Sequence, residues 1–222
     1  MRNSLLTLRL LAGANWRERA IAAGGALLGI ALAALGSTLL SGSPATGLLL
    51  AAPIGASAVL VFAVPSSPMG QPWPVIGGNI VSAVVGIAAA RGLGHGAVAA
   101  GVAVSGAILA MSVLRCLHPS GGGTALLGVV GGPAVLAHGY AFALVPVGLN
   151  AVLLVLAGIL FHLVSGHSYP HRAAKVQAPR ITAEDIDAAL DEAQESFDIA
   201  REDLQVLLDA AERHAEARRK RR

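Results

Sequence analysis

The run Arg115-Cys116-Leu117-His118-Pro119-Ser120-Gly121-Gly122-Gly123-Thr124 gathers a guanidinium, an imidazole, two hydroxyls and three glycines within an otherwise aliphatic stretch. Proline suits the first turn of a helix, and glycines leave backbone N–H groups unshielded, so an anion can approach the positive end of such a helix closely. Arg115 precedes His118 by three residues, about one helical turn if helix persists there. Arg115 and His118 would attract the anion, while the N–H groups of Gly121, Gly122 and Gly123 would replace its hydration. Ser120, Thr124 and the more distant Ser57 would donate hydroxyl hydrogen bonds, and Asn79 and Asn150 could add amide donors. The competing reading is a glycine-rich bend with an arginine at the membrane edge and a histidine held by structural hydrogen bonds.

The sign of the ligand follows from what is missing. No Asp or Glu occurs between Arg19 and Ala183. A cation in a low-dielectric interior needs a counter-charge, commonly a buried carboxylate, and none is available here. No metal site is expected, because the single cysteine, Cys116, and the scattered histidines have no ligand spacing. No catalytic residue and no cofactor are expected either. Ser120 and His118 are two positions apart and so do not face each other on a helix, and no acid is present to orient the histidine.

The elements that must position these groups are membrane helices. Of the 222 residues, 55% are hydrophobic and 13% charged, and the mean hydropathy is +0.66. Outside Arg91 and Arg115, every Lys, Arg, Asp and Glu lies before Ala20 or after His171. Apolar segments run over residues 20–40, 47–64, 75–90, 97–114, 121–137 and 142–164. A bilayer core needs roughly 20 helical residues, so the first and last are secure spans and the shorter ones are not. The second carries Pro53 and the fifth opens on glycines. Broken segments of this kind line cavities or pack centrally, because exposed backbone is costly in lipid. The fold expected is therefore all-α, a polytopic membrane protein with broken or re-entrant helices and four to six crossings. Six is favoured.

A weak internal repeat pairs Pro53-Ile54-Gly55-Ala56-Ser57-Ala58-Val59-Leu60 with Pro119-Ser120-Gly121-Gly122-Gly123-Thr124-Ala125-Leu126, and Gly77-Gly78-Asn79 with Gly148-Leu149-Asn150. Corresponding interrupted segments are a pointer to transporters built from repeats. Chance similarity in a Gly/Ala/Val-rich chain is the competing explanation. Gly25 and Gly29 form a GxxxG spacing, read as helix packing.

Four parts are expected: an interfacial segment at 1–19, a membrane domain at 20–166, a linker at 167–180 and a helical tail at 181–222. Arg9 interrupts the first apolar stretch, which argues against a cleavable signal and for a helix lying on the membrane. Basic residues flank both the first and last spans, so the positive-inside tendency places both termini in the cytoplasm, across a cell inner membrane. In the tail, Thr182 is an expected N-cap with Ile181 stapled onto Ile186. A second helix is expected from near Ala200, with Leu204, Leu207, Leu208 and Ala211 as its apolar stripe and Glu202, Asp203, Asp209 and Glu212 in water. The basic run ending at Arg222 reads as a solvated tail or an anchor to anionic lipid, ahead of any nucleic-acid role.

These segments resemble the HPP family of bacterial and plastid membrane proteins, named for a His-Pro-Pro motif. His118-Pro119-Ser120-Gly121-Gly122-Gly123-Thr124-Ala125-Leu126 is similar to the family's His-Pro-Pro-Ala-Gly-Ala-Thr-Ala-Leu stretch. Pro65-Ser66-Ser67-Pro68-Met69-Gly70-Gln71-Pro72, with Val75-Ile76-Gly77-Gly78-Asn79, is similar to its loop of spaced prolines and Gly-Gly helix start. Pro53-Ile54-Gly55-Ala56-Ser57 and Tyr169-Pro170-His171-Arg172 also fit. The tail resembles the connector that in many members leads to CBS domains, so adenylate sensing is not expected from this sequence. The resemblance implies four principal transmembrane helices, fewer than six. It also implies anion transport, since plastid and cyanobacterial members are linked to nitrite movement, although most members have no assigned function. Ser120 replaces the second motif proline.

Small-anion transport, with nitrite as the first candidate, is thus the leading expectation. The rival is a non-transporting anchor or signalling module whose cytoplasmic helices recruit a partner. The partners expected are the lipid bilayer, a small anion and further copies of the chain in a homo-oligomer, with no nucleic acid.

Overall fold

A computed structural model describes residues 16–173, 181–193 and 197–219. The interfacial helix expected before Trp16, residues 174–180 of the linker and the end of the basic run lie outside the described residues.

Helix α1 (Trp16–Ser41) is followed by α2 (Pro44–Ala51) and α3 (Ile54–Ala58), which widens into a π-helical turn at Val59–Ala63. Proline cannot donate a backbone hydrogen bond, and Pro53 breaks this segment into two pieces, standing as the N-cap of α3. The composite nevertheless returns along the length of α1. Gly47 packs on Thr38 at one end, and the Arg19 guanidinium donates to the Ala63 carbonyl at 3.0 Å at the other.

A 3-10 turn at Pro68–Gly70 leads into α4 (Pro72–Leu93), and α5 (Ala97–Val113) runs back along it. Then come α6 (Ser120–Val130) and α7 (Gly132–Leu136), separated at Gly131, and turns at Gly139–Ala143 and Leu144–Gly148 that feed α8 (Leu149–Ser165). Contacts of α8 with α1 are antiparallel, since Asn150 meets Ser37, Leu154 meets Gly29 and Phe161 meets Gly25. Six apolar segments thus run alternately between two ends. The start of α1 and the end of α8 share one of them, where buried His162 donates through Nε2 to the Val61 carbonyl.

Among the described residues, three stretches have the length and apolarity to cross a bilayer, namely Trp16–Ser41, Pro72–Leu93 and Gly139–Ser165. Helix α5 has 17 residues, or about 25 Å. With α5 and the two broken segments the apolar segments number six, of which only those three are long enough to cross unbroken.

Lipid supplies little hydrophobic drive between helices, and close packing of small residues supplies attraction instead. Helix α5 buries Ala99, Ala103, Ala107 and Met111 and turns Val98, Val102, Leu109 and Val113 outward. Gly86 and Gly128 let α4 and α6 approach backbone to backbone, a Cβ on Gly128 falling 2.8 Å from the Gly86 carbonyl carbon. Gly25 and Gly29 serve packing as expected, accommodating the rings of Phe62 and Phe161.

In the tail, α9 (Ala183–Ala193) and α10 (Arg201–Arg219) pack together. Arg201 pairs with Asp187 at 2.7 Å, and Gln205 donates to the Ile181 carbonyl at 3.0 Å. Thr182 caps α9 as expected: the Asp185 N–H donates to its hydroxyl, while the Thr182 N–H donates to the Asp185 carboxylate at 2.9 Å. Two expectations for α10 need correcting. Asp209 is buried rather than wet, with neither carboxylate oxygen hydrogen-bonded, and Leu207 on the proposed apolar stripe is 58% exposed. Helical periodicity orders side chains around an axis, but the surface an amphipathic helix covers depends on the body it docks against.

Candidate functional site

The site lies where the two broken segments meet. Pro53 and Pro119 hold matching N-cap positions before α3 and α6, with φ of -61° and -58°. The first turns of those helices cross, so the Ser120 hydroxyl of one donates to the Pro53 carbonyl of the other. Asn79 enters from the second turn of α4, about 10 Å along that helix.

His118 is fully buried and held at both ring nitrogens. Its Nδ1 lies 2.8 Å from the Met69 carbonyl and its Nε2 lies 2.7 Å from the Ser57 hydroxyl. A carbonyl only accepts, so Nδ1 carries the proton, and in the neutral ring Nε2 accepts from Ser57. Asn79 donates to the Val75 carbonyl at 2.8 Å and to the Ser57 oxygen at 3.4 Å. Its own carbonyl accepts from Thr124 at 2.6 Å, and Ser120 lies 3.2 Å from it. Ser57, Asn79, His118, Ser120 and Thr124 therefore form one buried network without a carboxylate. Every side-chain donor in it already has a protein acceptor.

Other residues singled out in the sequence have different surroundings. Arg115 is exposed, follows the C-cap of α5 in a left-handed conformation (φ 53°), and lines an outer pocket of about 360 Å³ with Ser112 and Pro74. A second, partly open pocket of about 320 Å³, bordered also by exposed Ile108 and Leu117, reaches His118, Pro119 and Gly122. Met69 and Leu117 border both spaces. Asn150 does not join the network: its amide donates to Ser37 at 2.7 Å, on the α1–α8 contact, and its carbonyl oxygen has no partner. The repeat alignment paired Asn150 with Asn79, but the two segments bring different neighbours to those positions.

The glycines divide in the same way. A Cβ on Gly121 would stand 2.5 Å from the Ser82 hydroxyl and 2.7 Å from the Met111 sulfur, whereas Gly122 and Gly123 have about a full van der Waals distance of room. The N–H groups of Gly121 and Gly122 bond internally to the His118 and Pro119 carbonyls at 2.9 and 3.2 Å. Those two donors are spoken for in this conformation, which corrects the expectation that they stand free for an anion. The first turn of a helix closes tightly when the residues before it already have helical dihedrals, as Pro119 has.

Sequence reasoning missed Met69, Gln71 and Tyr169. The Met69 and Gly70 carbonyls accept from His118 and from the Tyr169 hydroxyl, and Gln71 spans its loop by donating to Pro65 and Ser67 carbonyls at 2.9 and 2.8 Å. Backbone acceptors leave no trace in side-chain identity. The run of spaced prolines was the available signal, since it fixes a loop whose carbonyls cannot all be satisfied internally.

Residues 12–170 match the family described as HPP, transmembrane region. The chain belongs to the HPP family. It is 38% identical over 120 residues to a transmembrane protein of Dictyostelium discoideum, an alignment covering 52% of this chain and 42% of that protein. A second Dictyostelium discoideum transmembrane protein is 37% identical over 109 residues, covering 47% and 35%. The chain thus spans less than half the length of these relatives. No solved structure matches it. Within the HPP motif itself, Ser120 stands where the family's name has proline, and its hydroxyl makes the Pro53 contact that a proline could not.

Proposed function

We propose that this HPP protein carries a small inorganic anion across a membrane, with nitrite as the first candidate, and that the network around His118 is its closed binding station. One observation carries the reading: hydroxyl, amide and imidazole groups from three chain segments converge, without a carboxylate, where two broken helices cross beside a cavity. Arg115 stands at a pocket that shares Met69 and Leu117 with that cavity, so its charge would draw an anion to the neighbourhood of the network. Entry of an anion requires Ser57, Ser120 or Thr124 to turn its O–H away from an internal acceptor. Rotation of a hydroxyl about one bond is a small motion, and the lost internal hydrogen bond is replaced by one to a charged acceptor, which is stronger. The proposal includes a cell inner membrane with both termini on the cytoplasmic side, consistent with the shared end of α1 and α8 and the basic flanks.

Proteoliposome uptake of nitrite, nitrate, formate and chloride tests it, comparing the unaltered protein with His118→Ala and Gly122→Leu. Uptake abolished by both substitutions is the expected result. Uptake indifferent to both would remove the station while sparing transport, and no uptake of any anion would sink the transport reading. A second reading, a membrane anchor that recruits a partner, draws on the exposure of Phe197 and Leu207 in the tail, 52% and 58%. It predicts no uptake at all.

A further inference from the structure

Two lines of hydrogen bonds run from the tail to the 65–71 loop. In the first, the Ser67 hydroxyl, on a residue only 2% exposed, lies 2.9 and 2.8 Å from the two carboxylate oxygens of Asp198, just ahead of α10. In the second, Asp203 of α10 meets His171 Nε2 at 2.8 Å, and the His171 N–H donates to the Gln71 side-chain carbonyl at 2.8 Å. Gln71 in turn donates to the Pro65 and Ser67 carbonyls, tying the two ends of the loop together.

The opposite side of that loop faces the membrane site. The Met69 carbonyl receives the His118 Nδ1–H, and the Met69 side chain forms a wall of both the Arg115 pocket and the His118 cavity. The 3-10 turn that carries Met69 is three residues long, too short to hold its shape without its neighbours.

We propose that the tail is a latch: through Asp198 and Asp203 it holds the 65–71 loop inward and keeps Met69 closed between the outer pocket and the His118 cavity. The gating part of this inference rests on the transport reading, whereas the latch itself does not. His171 and Asp203 retain 21% and 22% side-chain exposure, so water or a competing cation can reach the pair and loosen it. The Arg201–Asp187 ion pair and the Gln205–Ile181 hydrogen bond keep α9 and α10 together when the loop contacts part. Release therefore frees a folded hairpin.

The test uses Met69→Cys in the full chain, reconstituted in liposomes and labelled with a membrane-impermeant maleimide. Cys116 is fully buried, and the unsubstituted protein supplies the blank. Combining Asp198→Asn with Asp203→Asn, or introducing Ser67→Ala with Asp203→Asn, should accelerate labelling about tenfold by shifting the loop toward its open form. Amide hydrogen exchange over residues 66–71, on the same variants without the cysteine, should accelerate in parallel and guards against a misfolded probe protein. Unchanged labelling and exchange would overturn the latch. Faster labelling with unchanged flux, in a protein that does transport, would overturn the gate. Absence of flux in every variant would refute the proposed transport alone, because labelling and exchange would still decide the latch.

Discussion

The Ser57 hydroxyl sits 2.7 Å from His118 Nε2, joining α3 to the start of α6 across 61 residues of sequence, and both residues are fully buried. The bond fixes the imidazole's orientation and, with the Met69 carbonyl on the other nitrogen, its tautomer. Removing the hydroxyl leaves a buried acceptor without its donor. Ser57→Ala should lower unfolding stability by about 1–3 kcal/mol, the usual cost of an orphaned buried polar group. Thermal unfolding in detergent measures it, and a change below the error of that measurement would show that the pair is incidental.

Gly121 and Gly122 are neighbours with opposite surroundings. Gly121→Ala must push against Ser82 and Met111 and should cost about 1–3 kcal/mol through overpacking. Gly122→Ala meets only an ordinary contact with Val104 at 4.0 Å and should be neutral or raise stability by up to about 1 kcal/mol through helix propensity. Equal effects in a denaturation series would contradict the packing described at α6. Larger side chains at Gly122 enter the cavity beside His118, which is why Gly122→Leu tests uptake rather than folding.

Arg115 adopts φ 53°, a conformation that costs a non-glycine residue about 1 kcal/mol or more. Arg115→Gly should therefore preserve or raise stability by up to about 1 kcal/mol, while reducing anion uptake at low salt by removing the positive charge at the outer pocket. Comparing melting temperature with initial uptake rate separates the two effects. Lower stability with normal uptake would reverse the role assigned to this residue.

Acid should loosen the tail. Hydrogen bonds from the Thr182 backbone and side chain hold the Asp185 carboxyl below its ordinary value of 3.8. A group with a depressed pKa in the folded state stabilises that state fully above its unfolded pKa, and the contribution disappears as pH falls through the folded value. The start of α9 should fray only as pH falls below about 4, seen as loss of amide protection near Ile186, and Asp185→Asn should abolish that acid dependence. Fraying that begins near neutrality would point to another group.

Much of the architecture was legible because composition and helix breakers act locally. Long aliphatic runs and the absence of Asp and Glu from 20 to 183 announce lipid, and Pro53 and Pro119 mark the breaks at which α3 and α6 begin. The convergence of Ser57, Asn79, Ser120 and Thr124 was less accessible, since nothing in their spacing states that α4 crosses both broken helices at that depth. Asn150 shows the limit of a repeat argument, for a matching position in sequence received Ser37 as its neighbour. Arg115 shows another. Its three-residue spacing from His118 is one helical turn only where helix persists, and α5 ends at Val113, so the left-handed Arg115 stands outside any helix and exposed. Asp209 could not be placed from periodicity, because a carboxylate's burial depends on which surface covers it.

The antiparallel seam between α8 and α1 also bears on how the protein is made. The first two segments are neighbours in sequence and can pair as soon as both have left the ribosome, Arg19 closing onto Ala63. Their other face must wait for Asn150, Leu154 and Phe161, which lie 87, 91 and 98 residues beyond Ala63 and reach Ser37, Gly29 and Gly25 only once that length has been synthesised. Domains and their parts fold in the order in which the chain emerges. Until the last helix arrives, Phe62 alone covers the α1 glycines and the Ser37 hydroxyl lacks its Asn150 partner, so an arrested or truncated chain presents to the quality-control machinery a half-filled seam that the finished protein never shows.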